Sequence, residues 1–136
     1  MIYEFEVPGE ITGKARPRLN ARSGKVYTPT KTKNYEYLTR FYFTQKYQDY
    51  TPVEGRVKIS IIAYFDIPKS TSKKKEAGML ENKISPTKKP DIDNITKVVL
   101  DALNKFAYKD DTQITEITVV KKYASTPKVK IKIEEY

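Results

Sequence analysis

Residues 2–7, IYEFEV, alternate apolar and acidic positions. That is the pattern of a strand with one face in a core and one in water, and Pro8-Gly9 ends it. Residues 9–28 carry Lys14, Arg16, Arg18, Arg22 and Lys25 against the single acid Glu10, and Gly13, Pro17 and Gly24 break the stretch into turns. The pattern predicts a basic loop with a short hairpin around Ser23-Gly24. Thr28-Pro29 predicts a helix start, with Thr28 as N-cap and Pro29 at the first helical position. The helix is expected to run to about Tyr50, with Tyr35, Leu38, Phe41, Tyr42 and Gln45 near one face. That face is read as core packing rather than as a platform for stacked bases.

Residues 56–65, RVKISIIAYF, predict a strong strand with Val57, Ile59 and Ile61 on one face. The stretch 66–90 changes character. Lys69, Lys73, Lys74, Lys75, Lys83, Lys88 and Lys89 stand against only Asp66, Glu76 and Glu81. It is read as a mobile basic loop with a short helix in its middle, and functional loops often have this length. A helix is predicted from about Asp91 to Asn104. At 100° per residue, Ile92, Ile95, Val99, Ala102, Leu103 and Phe106 fall in a stripe about 100° wide, the expected core side. Strands follow at 114–123 and 128–134, separated by the turn Ser125-Thr126-Pro127. No internal repeat is present. The order β, basic loop, α, β, basic loop, α, β, β predicts a single α+β domain over residues 1–136. Its expected architecture is a mixed sheet of four to five strands packed with two main helices.

Composition narrows the chemistry. The chain has 136 residues, the size of one domain, and no cysteine or histidine. Disulfides, thiol nucleophiles, thiolate or imidazole metal sites and Ser-His-Asp triads are therefore excluded. With 26 Lys and Arg against 17 Asp and Glu, the formal net charge is +9. A balance this basic points to an anionic partner, with nucleic acid the usual one, or else to a solvated lysine-rich surface. The opening MIYEFEVPG has neither a basic n-region nor an apolar h-region. No apolar run approaches the roughly 20 residues a span needs. A cytoplasmic protein with no membrane partner is expected.

The most informative stretch is KPDIDNITKVVLDAL, residues 89–103. Asp93 and Lys97 sit four apart on the side away from the apolar stripe, about 40° from each other. Asp91 stands at the helix start, just after Pro90. These residues have an ordinary structural reading: Asp91 as an N-cap, Asp93 favoured by the helix dipole, Asp93–Lys97 and Lys97–Asp101 as surface ion pairs. The second acidic piece is YKDDTQ, residues 108–113, with Asp110 and Asp111 between this helix and the next strand. A strand running back beside the helix would bring Asp111 towards Asp91 and Asp93. Carboxylates converging on one point repel unless a cation neutralises them. Oxygen ligands alone select Mg²⁺, or Mn²⁺ in its place. Such a site in a basic protein points to phosphate chemistry, with basic loops holding the backbone through counterion release.

These residues resemble the RusA family of Holliday-junction resolvases. P-D-x-D-N, Lys four after the second Asp, D-A-L, then D-D before a strand is the core signature. GKARPR (13–18) and YTPTKTKNYE (27–36) are similar to the amino-terminal part of phage and prophage members. The resemblance covers roughly residues 5–123 and is weakest in the lysine-rich segment 66–90. It implies a RusA-like fold, phage or prophage origin, and a homodimeric, Mg²⁺-dependent endonuclease that cuts four-way DNA junctions symmetrically. By motif, Asp91, Asp93 and Asp111 match the family's essential carboxylates, Asp110 the neighbouring acid, and Lys97 the catalytic lysine. Arg16, Arg18, Lys73, Lys74, Lys75, Lys88 and Lys89 are the expected contacts to the DNA backbone. Two other readings remain: a DNA-binding module without catalysis, and a nuclease for other branched or single-stranded DNA.

Overall fold

A computed structural model describes residues 1–12, 18–27 and 30–136 of the chain. Two strands bracket the fold at its sequence ends. β1 (Ile2–Pro8) pairs antiparallel with β6 (Lys128–Glu135), and β6 pairs antiparallel with β4 (Val57–Asp66). β4 then pairs in parallel with β5 (Ile114–Ala124). The order β1-β6-β4-β5 makes a four-stranded mixed sheet, so the fold is α+β as expected.

Period-two patterning decides which way the strands face. Tyr3, Phe5 and Val7 on β1, the odd residues Val57 to Phe65 on β4, and Val129, Ile131 and Ile133 on β6 are all buried. The other face carries charged residues that pair across strands: Lys58 with Glu134, Lys128 with Glu6, Lys130 with Glu4. That face is solvated on an otherwise buried sheet, as antiparallel strands permit.

Among the described residues the two main helices expected are present, with a short third helix between them. α1 (Thr30–Lys46) and α3 (Ile92–Leu103) pack on the apolar side of the sheet and on each other, and α2 (Lys73–Leu80) interrupts the basic segment. The middle of 66–90 is thus helical, started by Ser72, whose Oγ accepts from Lys75 N at 3.4 Å. The expected hairpin is also present. β2 (Arg18–Leu19) and β3 (Val26–Tyr27) pair antiparallel, and Asn20 closes the turn by accepting from Gly24 N at 2.8 Å. Gly24 has φ +69°, a conformation glycine adopts without strain.

Two helix faces need correction. On α1 the buried positions are Thr32, Tyr35, Thr39 and Phe43, while Leu38 (37% exposed), Phe41 (51%) and Gln45 face water. The helix ends at Lys46, and Tyr47 turns back so that its hydroxyl meets Glu4 of β1. A cluster of rings around Phe43 (Tyr3, Phe5, Tyr47, Tyr50) decides the face, and single-helix spacing does not reveal it. On α3 the buried set is Ile95, Val98, Val99, Ala102 and Leu103; Ile92 is 44% exposed and Phe106 lies at the core margin. Thr28 and Pro29, predicted to start α1, lie outside the described residues. Among the described residues, no helix is long and apolar enough to cross a membrane.

Candidate active site

α3 is the crossover between the parallel strands β4 and β5. It therefore runs against them, with its first turn near the last residues of β4 and its last turn near the start of β5. Named contacts place both ends. Just before α3, Lys88 reaches Glu10 Oε1 at 3.3 Å and lies over the Phe65 ring, and Lys121 of β5 donates to Lys88 O. Glu10 in turn accepts from Asp66 N at 3.2 Å. At the other end, Tyr108 is buried and donates to Leu100 O at 2.8 Å.

Asp91 occupies the N-cap position of α3 with extended backbone, but its carboxylate accepts no capping hydrogen bond. Asp93 and Lys97 are exposed on the first two turns. Among the described residues neither makes an ion pair or a side-chain hydrogen bond, although their spacing would allow one. The capping and ion-pair roles that would explain these charges structurally are therefore not in use. The helix dipole still favours the two acids, by about 0.3–1 kcal/mol each for a surface charge.

Asp110 and Asp111 open a single 3₁₀ turn, Asp111–Gln113, leading into β5. Gln113 clamps it. Its Oε1 accepts from Asp110 N, and its Nε2 donates to Val53 O and Gly55 O, each at 2.8 Å. Lys109 adds an ion pair to Glu54, and Val53 N donates to Ala107 O at 2.9 Å. Thr112 Oγ1 donates to Asp110 Oδ2 at 2.5 Å, which holds that carboxyl below its ordinary range. Burial pushes the Tyr108 hydroxyl well above its usual value, and the nearby charges of Asp111, Asp101 and Asp110 push it further. The Asp110–Asp111 pair thus belongs to the last turns of α3. Asp91 and Asp93 belong to the first.

The expected return of Asp111 towards Asp91 and Asp93 does not occur within one chain, because β5 starts beside the far end of the helix. From Asp91 to Asp101 the helix rises roughly 15 Å. Among the described residues, no three acidic side chains gather closely enough to hold a metal ion.

The basic residues divide. Lys73, Lys74 and Lys75 are exposed along the first turn of α2, and Lys89 is exposed just before α3. Lys88 is engaged with Glu10 and Phe65, so it also holds the segment before α3 in place. Arg16 lies outside the described residues, and Arg18 is placed only as the first residue of β2. Sequence reasoning missed Gln113 and Tyr108. Gln113 carried a signal, since D-x-x-Q before an apolar run is the spacing of a capping box.

A model of the family "Endodeoxyribonuclease RusA" matches residues 8–134 of this chain. The chain belongs to the RusA family. The matched stretch runs without a break through α1, β4, α3, the D-D turn and β5. An uncharacterised protein of Bacillus subtilis (strain 168), YqaN, is 38% identical, over 97% of this chain and 95% of its own length. RusA membership implies a nuclease of the hydrolase class, with DNA as its substrate.

Proposed function

We propose that residues 1–136 act as one RusA endonuclease domain that resolves four-way DNA junctions in recombination and repair. In this reading it works inside the cell as a homodimer that places paired, symmetric nicks. The observation that carries the reading is the state of Asp91, Asp93 and Lys97. They lie within the stretch that the family model matches, they stand exposed at one helix start, and they make no capping bond or ion pair among the described residues.

Asp91, Asp93 and Asp111 are the proposed ligands of a divalent ion, with Asp110 beside them. The oxygen-only donor set suits Mg²⁺, with Mn²⁺ as a substitute. When bound, such an ion supplies a nucleophile at neutral pH and stabilises charge on phosphoryl oxygens. Among the described residues the acids of one chain do not gather into that site. In this reading Lys97 steadies negative charge developing on the cleaved phosphate or its leaving oxygen. The lysines of α2 and Lys89 hold the DNA backbone, each phosphate contact releasing counterions. Three lysines in a first helical turn oppose the helix dipole, an arrangement that a bound polyanion would offset.

The test is cleavage of a labelled synthetic four-way junction beside linear duplex and single strand, with Mg²⁺ and with EDTA. Mg²⁺-dependent nicks in two symmetric strands of the junction are expected. Equal cutting of linear duplex would replace junction resolution by a general nuclease activity. Faster cutting of flaps or forks would shift the substrate to other branched DNA.

A further inference from the structure

We propose that a cleft between the end of β1 and the first turns of α1 receives one nucleobase of the DNA, displaced from its stack beside the phosphate to be cut. The inference rests on the nuclease reading. It adds a contact to a base, where that reading supplies contacts to the backbone alone.

The cleft has a volume of about 470 Å³, within the ordinary range for a small-ligand site. Pro8, Gly9 and Thr12 form one side, where the chain leaves β1, and Asn34, Tyr35 and Leu38 of α1 form the other. Pro8 and Leu38, both exposed, give it apolar walls. Tyr35 supplies the sharper signal. It is only 5% exposed, yet its hydroxyl has no hydrogen-bond partner among the described residues. Buried hydroxyls are ordinarily paired, because an unpaired one forfeits its hydration and gains nothing back. The two other tyrosines buried among the described residues follow that rule: Tyr3 donates to Thr51 O and Tyr108 to Leu100 O, both at 2.8 Å. Burial also pushes the Tyr35 hydroxyl well above its usual range, so it stays a neutral donor.

A nucleobase matches this combination. It offers apolar faces to Pro8 and Leu38, and acceptors on its edge to a donor hydroxyl. Thr12 and Asn34 add polar groups on the two sides of the cleft. Unstacked bases are held in this manner, by apolar side chains on their faces and hydrogen bonds to their edges. Position favours the same occupant. Glu10 also lines the cleft, and its Oε1 accepts from Lys88 Nζ at 3.3 Å and from Asp66 N at 3.2 Å. Lys88 is followed directly by Lys89, Pro90 and Asp91. The cleft therefore lies beside the end of α3 that carries Asp91 and Asp93. Lys88 and Lys89, both exposed, bring positive charge to that end for the phosphates that flank the base.

The experiment crosses protein variants with DNA variants. Labelled four-way junctions carry a single abasic site, scanned over the nucleotides next to each cleavage point. Wild type, Tyr35→Phe and Leu38→Glu are compared on these and on the intact junction. Affinity is read by anisotropy in EDTA, and cleavage in Mg²⁺. Tyr35→Phe removes an unpaired buried hydroxyl, so its melting temperature should hold or rise. Its affinity for the intact junction should fall about five- to tenfold, the scale of one lost hydrogen bond. Wild type should lose at least about as much when the abasic site falls at one particular position. On that junction neither variant should lose more, because the base they contact is gone. Leu38→Glu, altered at an exposed position, makes the comparison independently of how Tyr35 packs. Losses that multiply instead, or a scan with no sensitive position, overturn the base site and leave the nuclease reading standing. The expected coupling in EDTA, with no cleavage by wild type in Mg²⁺, supports the base site and overturns the nuclease reading alone. A wild type that neither binds nor cuts the junction overturns both.

Discussion

Tyr108 shows how one side chain joins the fold to the candidate site. Its ring is buried under the last turns of α3, its hydroxyl bonds Leu100 O, and three aspartates lie near enough to oppose its ionisation. Leu100 O keeps a second donor, Asn104 N at 3.0 Å, so Tyr108→Phe leaves no buried acceptor unpaired. The variant should lose about 1 kcal/mol near pH 7, the ordinary net value of one hydrogen bond. The sign of the pH effect follows from the raised value. The folded tyrosine stays protonated above pH 10 while the unfolded one ionises, so its stabilisation is complete below about pH 10 and falls as pH rises beyond it. Urea titrations of both proteins at pH 8 and pH 10.5 should therefore show the wild-type advantage shrinking. An advantage that holds constant would mean the hydroxyl is not withheld from ionisation. At this scale the acids were legible, because D-x-D-N and D-D are local patterns. Tyr108 was not: an aromatic in a connecting loop gives no sign of which carbonyl it will reach.

The elements divide by how much of their packing is local. Strands were legible because alternation is read directly, and β4, β5 and β6 fall within about a residue of their expected bounds. α3 was legible for the same reason, apart from Ile92 and Val98 at the margins of its stripe. α1 was not, since its sequence mixes aromatics around the whole helix and only the ring cluster at Phe43 chooses a face. Phe43→Ala should accordingly cost about 3–5 kcal/mol in thermal or urea unfolding, as for other buried phenylalanines. Phe41→Ala should leave the fold within about 0.5 kcal/mol, as a surface change does. Equal effects would restore the face expected from spacing. For α2 the expectation concerns binding. Lys73→Glu, Lys74→Glu and Lys75→Glu together place acids where the helix dipole favours them, so melting temperature should hold or rise. Junction affinity should fall, and the slope of log K against log salt should lose about 2–3 units, near 0.9 per phosphate contact. An unchanged slope would remove α2 from the interface.

At the scale of the whole molecule, charge and topology act together. On the open face of the sheet Lys58, Lys128 and Lys130 pair with glutamates across strands, and the excess positive charge of the sequence concentrates in residues 9–28 and 66–90. The parallel crossover sends α3 back along the sheet and sets its two acidic groups a helix length apart. Local patterns do not encode that separation. It follows from the strand order, where β5 pairs with β4 in parallel. On the proposed function, the exposed aspartates serve chemistry and not folding. Cleavage and binding of a labelled four-way junction by Asp93→Asn, beside wild type in Mg²⁺, tests it most directly. The expected result is a folded variant that binds the junction at least as tightly and cuts it at least a hundredfold more slowly. A variant that cuts at the wild-type rate would contradict it.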